Sequence, residues 1–320
     1  MAALTWADQG GGTFANPELS KEARMIAALK SKFFDIVEPA GDLALNKNHG
    51  DTVALKIWGR ISGTATTPLS ETSPVPFGTL PEYTVTAQMY QRGFALAYTG
   101  MREDLDRLSI ETPVIHALKE HSSRTHNKLI YDALVAGRSF CYSATSATEG
   151  TFTSNGTPSG TQASLPKGFH IRAIVKNLRK LNTPAFDGEN YVAVGSPTFC
   201  AGLFEDATTV TGFVDVKKYT SSADGLLNGE IGKYFGVRFV EDNDVLGGSL
   251  DGTYGTALFC GLEACKEILA YPMELRANLN VGGDFGRQKA IAWLSLLGYK
   301  GGLWNYTSHG QGSVLHYTTA

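Results

Sequence analysis

Residues 52–89 read TVALKIWGRISGTATTPLSETSPVPFGTLPEYTVTAQM, and the organisation of the whole chain turns on them. Val53, Leu55 and Ile57 alternate with Thr52, Ala54 and Lys56, and Tyr83, Val85, Ala87 and Met89 alternate with Thr84, Thr86 and Gln88. A period of two predicts a pair of half-buried strands. Residues 59–82 between them carry Pro68, Pro74, Pro76 and Pro81 amid Thr and Ser, far more chain than a hairpin turn of roughly two to five residues needs. The segment reads as an extension that reaches another subunit.

Working towards the N-terminus, Gly10-Gly11-Gly12 is a break, and residues 17–34 carry Leu19, Ala23, Ile26, Ala27, Leu29 and Phe33 at helical spacing. A single amphipathic helix of this length is marginal in water, so it is expected to serve assembly rather than the subunit's own fold.

Towards the C-terminus, residues 101–137 predict a short helix and a long one divided at Pro113. Val114, Ile115, Leu118, Leu129, Ile130, Ala133 and Leu134 lie on one side and Lys119, Glu120, Arg124 and Lys128 on the other, with Gly137 as the stop. About 23 helical residues would span roughly 35 Å. Residues 140–165, poor in charge and rich in Ser, Thr and Gly, read as a long irregular segment.

Beyond it the pattern is an α/β layer. Ile171, Ile174, Val175, Leu178 and Leu181 mark a helix stopped at Asn182-Thr183-Pro184. Tyr191-Val192-Ala193-Val194 is a strand, and Ser196-Pro197 opens a helix. Val237–Val240 and Ala257–Cys260 are further strands, while Leu262, Cys265 and Leu269 predict a helix ended by Pro272. Residues 274–306 then read as a long hairpin with the glycine-rich tip Gly282-Gly283-Asp284-Phe285-Gly286-Arg287. The fold class is α+β.

Composition narrows the function. Across 320 residues only 18% are charged against 42% hydrophobic, which excludes a disordered chain and suits a surface that meets protein. With 28 Lys and Arg against 31 Asp and Glu, the net charge of -3 supplies no general attraction to nucleic acid or an anionic membrane. No apolar stretch approaches the roughly 20 residues of a membrane span, and the first residues lack a signal-peptide pattern, so a cytoplasmic origin is expected. Cys141, Cys200, Cys260 and Cys265 form no CxxC pair and read as buried thiols.

The catalytic motifs fail on their own chemistry. His116, His121 and His126 recur at five residues, which spreads them around a helix, and HExxH is absent. Ser164-Leu165-Pro166-Lys167 matches SxxK, but Pro166 and Gly168 spoil the helix start and the SDN and KTG partners are missing. Glu241-Asp242-Asn243-Asp244 lacks the later oxygen ligands of a calcium loop and reads as a solvated acidic turn. No catalytic, cofactor or metal residues are assigned.

The order of these elements resembles the major capsid proteins of tailed bacteriophages with the Hong Kong 97-type fold. Local phrases are similar to the family named after the phage N4 coat protein: Gly50-Asp51-Thr52-Val53, Arg102-Glu103-Asp104, Tyr191–Val194 before Ser196-Pro197, Glu230-Ile231-Gly232 with Gly236-Val237, and Phe285-Gly286-Arg287 before Leu297-Gly298-Tyr299-Lys300. The resemblance implies an N-terminal arm (1–50), an E-loop (59–82) with flanking strands (51–100), a peripheral domain with spine helix and P-loop (101–139 plus 272–303), and an axial domain (140–271 plus 304–320).

It implies a non-enzymatic subunit that assembles with itself as hexamers and pentamers, in the host bacterial cytoplasm, into the virion shell. Portal, scaffolding and decoration proteins and non-specifically contacted DNA are the further partners, with no membrane and no cofactor. The interface residues expected are Leu69, Val75, Phe77 and Leu80 in the E-loop and Asp284 and Arg287 at the P-loop. In the family's founding example an E-loop lysine crosslinks subunits, whereas residues 59–82 here contain no lysine and Lys56 lies in the preceding strand. An encapsulin-like compartment, which is again a shell, and a carbohydrate-binding phage module are the alternatives.

Overall fold

A computed structural model describes residues 32–40, 52–58, 61, 66, 68–69, 71, 74–75, 77–106, 109–154, 162–205, 230–247, 252–283, 285–302 and 314–317. The helix expected over 17–34 lies outside them as far as residue 31, and residues 32 and 33 are bends leading into a 3₁₀ turn that begins at Phe34. After one 3₁₀ turn, Phe34–Ile36, the strands and helices run β1 (Val37–Pro39), β2 (Thr52–Trp58), β3 (Glu82–Gln88), β4 (Tyr90–Thr99), α1 (Gly100–Leu105), α2 (Glu111–Ala136), β5 (Phe140–Ala144), β6 (Gly150–Ser154) and α3 (Gly168–Lys180). They continue with β7 (Tyr191–Gly195), α4 (Pro197–Glu205), β8 (Glu230–Tyr234), β9 (Val237–Glu241), β10 (Ala257–Cys260), β11 (Cys265–Asn278), β12 (Gln288–Gly301) and β13 (Val314–Tyr317).

The runs Tyr191–Val194 and Ala257–Cys260 are apolar at every position because both faces of their sheet are covered. That sheet has seven strands in the order β6-β5-β13-β10-β7-β9-β8. Tyr191, Ala193, Val237, Phe239, Ala257 and Phe259 pack on one face with Ile171, Ile174 and Leu178 of α3 and Phe199 and Leu203 of α4. Val192, Val194, Val240, Leu258 and Cys260 pack on the other with Ile130, Tyr131 and Leu134 of α2 and with Phe33 and Ile36. Ser196 caps α4 as expected: its Oγ accepts from Phe199 N–H at 3.3 Å and from Thr256 N–H at 3.0 Å, which also ties the helix start to the entry of β10.

The second sheet, ordered β1-β11-β12-β4, is built around the long hairpin. Its face meets the N-terminal half of α2, where Ile110, Val114 and Leu118 pack on Tyr98, Ile291 and Trp293. The 26 residues of α2, about 39 Å of helix, therefore form a bar with a different sheet under each half. At its far end Gly137 meets Gly301 and Gly302 backbone to backbone: a Cβ on Gly137 would lie 2.3 Å from the Gly301 carbonyl carbon. β2 and β3 make a separate two-stranded sheet whose base, Val53 and Ala87, rests on Ile268.

Several expectations are corrected. Pro113 does not divide the helices: α1 ends at Leu105 and Pro113 lies in the first turn of α2, where its missing N–H costs nothing. Residues 140–154 are not irregular but form the β5–β6 hairpin. No helix forms around Leu262, Cys265 and Leu269: Leu262 lies in a turn, and Cys265 and Leu269 belong to β11, paired antiparallel with β12 from Cys265↔Gly301 onward. The chain also joins the fold earlier than expected, since Phe33 and Ile36 are buried and β1 pairs in parallel with β11.

Candidate functional site

The strand pair flanks the segment at 59–82. β2 and β3 pair in continuous register from Thr52↔Gln88 to Trp58↔Glu82, and Lys56 Nζ bonds Glu82 Oε1 at 2.7 Å across the pair. In the segment beyond, the described apolar side chains find no cover: Leu69, Val75 and Leu80 are more than half exposed and Phe77 is 99% exposed. Trp58 and Ile61 are exposed as well. Burying one such side chain is worth about 1.5–3 kcal/mol, so the isolated chain leaves this free energy unused.

A second projection is the tip of the β11–β12 hairpin. Asn278 Oδ1 accepts from Asn280 N–H at 3.0 Å, and Asn280 Oδ1 accepts from Gly286 N–H at 3.2 Å, closing the tip on its own polar groups. Phe285, at φ +44°, stands 99% exposed, and Leu279 and Arg287 are exposed beside it. The Arg287 carbonyl accepts from Gly100 N–H at 2.8 Å, so the backbone here is fixed while the guanidinium faces outward. Asp284 lies outside the described residues.

The residues weighed for chemistry take structural parts. Ser164 Oγ donates to the Leu165 carbonyl at 3.0 Å, and Lys167 opens α3 with its N–H on His170 Nδ1 at 3.1 Å. Burial pushes the Cys260 and Cys265 thiols well up, so they stay protonated. Asp242 is no solvated turn: it is buried, and its Oδ2 accepts from Val245 and Leu246 N–H at 2.9 and 3.0 Å. Burial raises its carboxyl, hydrogen bonds from Leu246, Val245 and Asn127 oppose the rise, and the charge of Asp244 adds to it. Glu120 is likewise buried, not on the solvated side of α2, and bonds Arg124 at 3.0 Å, which reaches Asp244 at 3.3 Å. Among the described residues no group of three or more His, Cys, Asp or Glu converges as metal ligands would, and no helix is long and apolar enough to cross a membrane.

Sequence reading missed two side-chain arrangements, the first of them buried. Asn127 stands on the same stripe of α2 as Ile130, Tyr131 and Leu134, and a polar residue on an apolar stripe was the available signal. The second is the pair His121 and His126. Although spread around the helix, both reach one indole, with ring centroids 5.9 and 5.7 Å from Trp293.

Two apolar projections on a frame of two sheets joined by one long helix match known architecture over nearly the whole chain. The capsid of Ralstonia phage GP4 superposes with a TM-score of 0.67 at 17% identity, covering 96% of this chain and 97% of that one. The fold is that of phage capsid chains. The head structure of Helicobacter pylori bacteriophage KHP40 matches with a TM-score of 0.64 at 14% identity (95% and 96% covered), and the Cyanophage Pam1 capsid with 0.61 at 16% (95% and 96%). No protein-family model and no curated protein matches the chain. Chains alike in about one residue in six thus share this fold, as expected where covered sheets require only apolar residues of suitable size.

Proposed function

We propose that the chain is the major capsid protein of a tailed phage, a structural subunit without catalysis that assembles into the icosahedral shell around double-stranded DNA. The observation that carries the reading is the capsid fold spanning 96% of the chain, joined to projections whose apolar side chains have no cover within one subunit. The fold is read as Hong Kong 97-type, of the phage N4 coat kind. In these terms residues 1–50 are the arm, 59–82 the E-loop within 51–100, 101–139 plus 272–303 the peripheral domain and 140–271 plus 304–320 the axial domain.

The E-loop lies on a neighbouring subunit through Leu69, Val75, Phe77 and Leu80. Burying the four contributes about 6–12 kcal/mol before ordering costs, and a closed symmetric shell repeats the contact at every subunit. Asp284 and Arg287 meet copies of the same hairpin. Hexamers and pentamers of the chain are its main partners, with portal, scaffolding and decoration proteins beside them. Its place is the virion, after assembly in the host bacterial cytoplasm. The net charge of -3 suits a wall that does not hold DNA by attraction.

Negative-stain microscopy of the purified chain tests the reading. Closed particles of uniform size are expected. A chain that stays monomeric at high concentration, with and without co-expressed neighbouring phage genes, overturns it, and particles that take up protein cargo in place of DNA support the encapsulin-like alternative.

A further inference from the structure

Trp293 is 1% exposed, yet its indole N–H has a partner that depends on protonation. Nε1 donates to His121 Nδ1 at 3.2 Å, which requires a lone pair on that nitrogen and hence the neutral ring with its proton on Nε2. The same imidazole stacks on Phe94 of β4 at 4.4 Å. On the other side of the indole, His126 stands edge-on to it, with Nε2 3.4 Å from Ser295 Oγ and its ring against Tyr299.

These contacts are made by α2 with β4 and β12, the strands beneath its N-terminal half. The ionisable groups around His126 are Arg92 from β4 and Tyr299 from β12, with Glu267 of β11 behind Tyr299 accepting its hydroxyl at 3.3 Å, and His121 on α2 itself. Burial, and then the Arg92 charge, hold the His126 imidazole below the usual histidine range. Tyr299 is neutral at any working pH, pushed up by burial and the nearby Glu267.

We propose that His121, Trp293 and His126 form an acid-responsive clasp that fastens α2 to the hairpin sheet at neutral pH and loosens it in mild acid. The inference concerns the single chain and goes beyond the shell reading. His121, itself exposed, holds the indole N–H through Nδ1 at the rim of the clasp. Protonating His126 sets a cation beside Arg92 in a site with little water. The sign follows from proton counting. Below about pH 6.5, the ordinary histidine value, the released ring takes up a proton that the fastened ring resists, so fastening weakens as pH falls and is complete above that value. The response approaches tenfold per pH unit for one such ring.

Hydrogen–deuterium exchange on the full chain tests this, at about pH 7.5 and about pH 5.5 with labelling times scaled for intrinsic exchange. Protection of peptides from α2 and β12 is expected to fall on the order of tenfold or more, while peptides from β7 and β10 hold theirs. The double variant His121→Gln, His126→Gln should keep α2 protected at both pH values. Trp293→Phe, which removes the N–H and keeps the ring, should lose part of the response. Unchanged α2 protection in the wild-type chain, or an equal fall in wild type and double variant, overturns the clasp. The wild-type comparison decides even if a variant fails to fold, and it does not depend on whether the chain forms particles.

Discussion

The Phe33 backbone N–H donates to Asn127 Oδ1 at 3.2 Å, so the first described residues rest on a polar side chain in the middle of α2. The amide's other end reaches Asp242 Oδ1 and Asp244 Oδ2, each at 3.4 Å, in the turn after β9. One side chain thereby joins the chain's entry, the long helix and the seven-stranded sheet. Replacing Asn127 by Ala strands the buried Phe33 N–H and is expected to cost about 2–4 kcal/mol, read as a lower denaturant midpoint with an unchanged m-value. A shift of less than about 0.5 kcal/mol would show the junction to be held by Phe33 packing on Tyr131 alone.

Asp242 gives a pH dependence of the opposite sign to His126. Burial raises its folded pKa above the ordinary value of 3.8, so the folded state binds its proton more readily than the unfolded one. Its contribution is fully present below 3.8 and is lost as pH rises through the raised value. The stability gap between wild type and Asp242→Asn should therefore widen in favour of wild type on going from neutral pH to about pH 4. Urea titrations of both proteins at the two pH values measure it, and a gap that narrows in acid contradicts the assignment.

The burial of Phe33 and Ile36 also sets where the N-terminal residues can be cut. Removal of residues 1–31 spares Phe33, Ile36 and β1 and should leave a folded subunit that forms no particles. Removal of residues 1–46 takes two fully buried side chains and a strand paired with β11, and should cost several kcal/mol, on the scale of about 2–5 for each large core side chain lost. Circular dichroism melting separates the two truncations. Normal particles from the shorter one would retire the arm's role in assembly.

Phe77 tests the E-loop contact without touching the core. At 99% exposure its replacement by Ser should move subunit stability by no more than about 0.5 kcal/mol while lowering particle yield or thermal resistance. A variant that assembles and melts as wild type would place the contact elsewhere on the loop.

Shell locking should be noncovalent. Residues 59–82 have no lysine, and Lys56 is held on Glu82, which raises its amine pKa through the hydrogen bond and keeps it protonated and unreactive. Particles boiled in detergent and reductant should run as one band near the monomer mass. A ladder of higher species would point to a lysine outside the loop.

Much of this fold was legible where the covering of the chain is simple. β2 and β3 alternate in sequence because one face is covered. β7 and β10 are short apolar runs because both faces are. Three places were not legible, each for a physical reason. β11 carries register shifts on either side of Tyr271, next to Pro272, and these erase the period of two that would have marked a strand. β5 buries Cys141, Tyr142, Ser143 and Ala144 in succession, so its polar residues disguise a central strand as a loop. Glu120 and Asp242 read as solvated because a carboxylate usually is; Arg124 reaches Glu120 one turn along α2, whereas only tertiary structure buries Glu120 and brings Asn127 to Asp242.

The position of β13 bears on how the subunit is made. It runs parallel to β5 and antiparallel to β10, lying between them in the middle of the seven-stranded sheet, although a ribosome synthesises it after every other described strand. Until residues 314–317 emerge, the β5–β6 hairpin has no neighbour to join and β10 presents a bare edge. Translation itself thus imposes an order: a nascent or prematurely terminated chain lacks the strand that closes the sheet, and quality-control proteases meet it open. Only a chain extended through residues 314–317 joins the β5–β6 hairpin to the rest of the sheet.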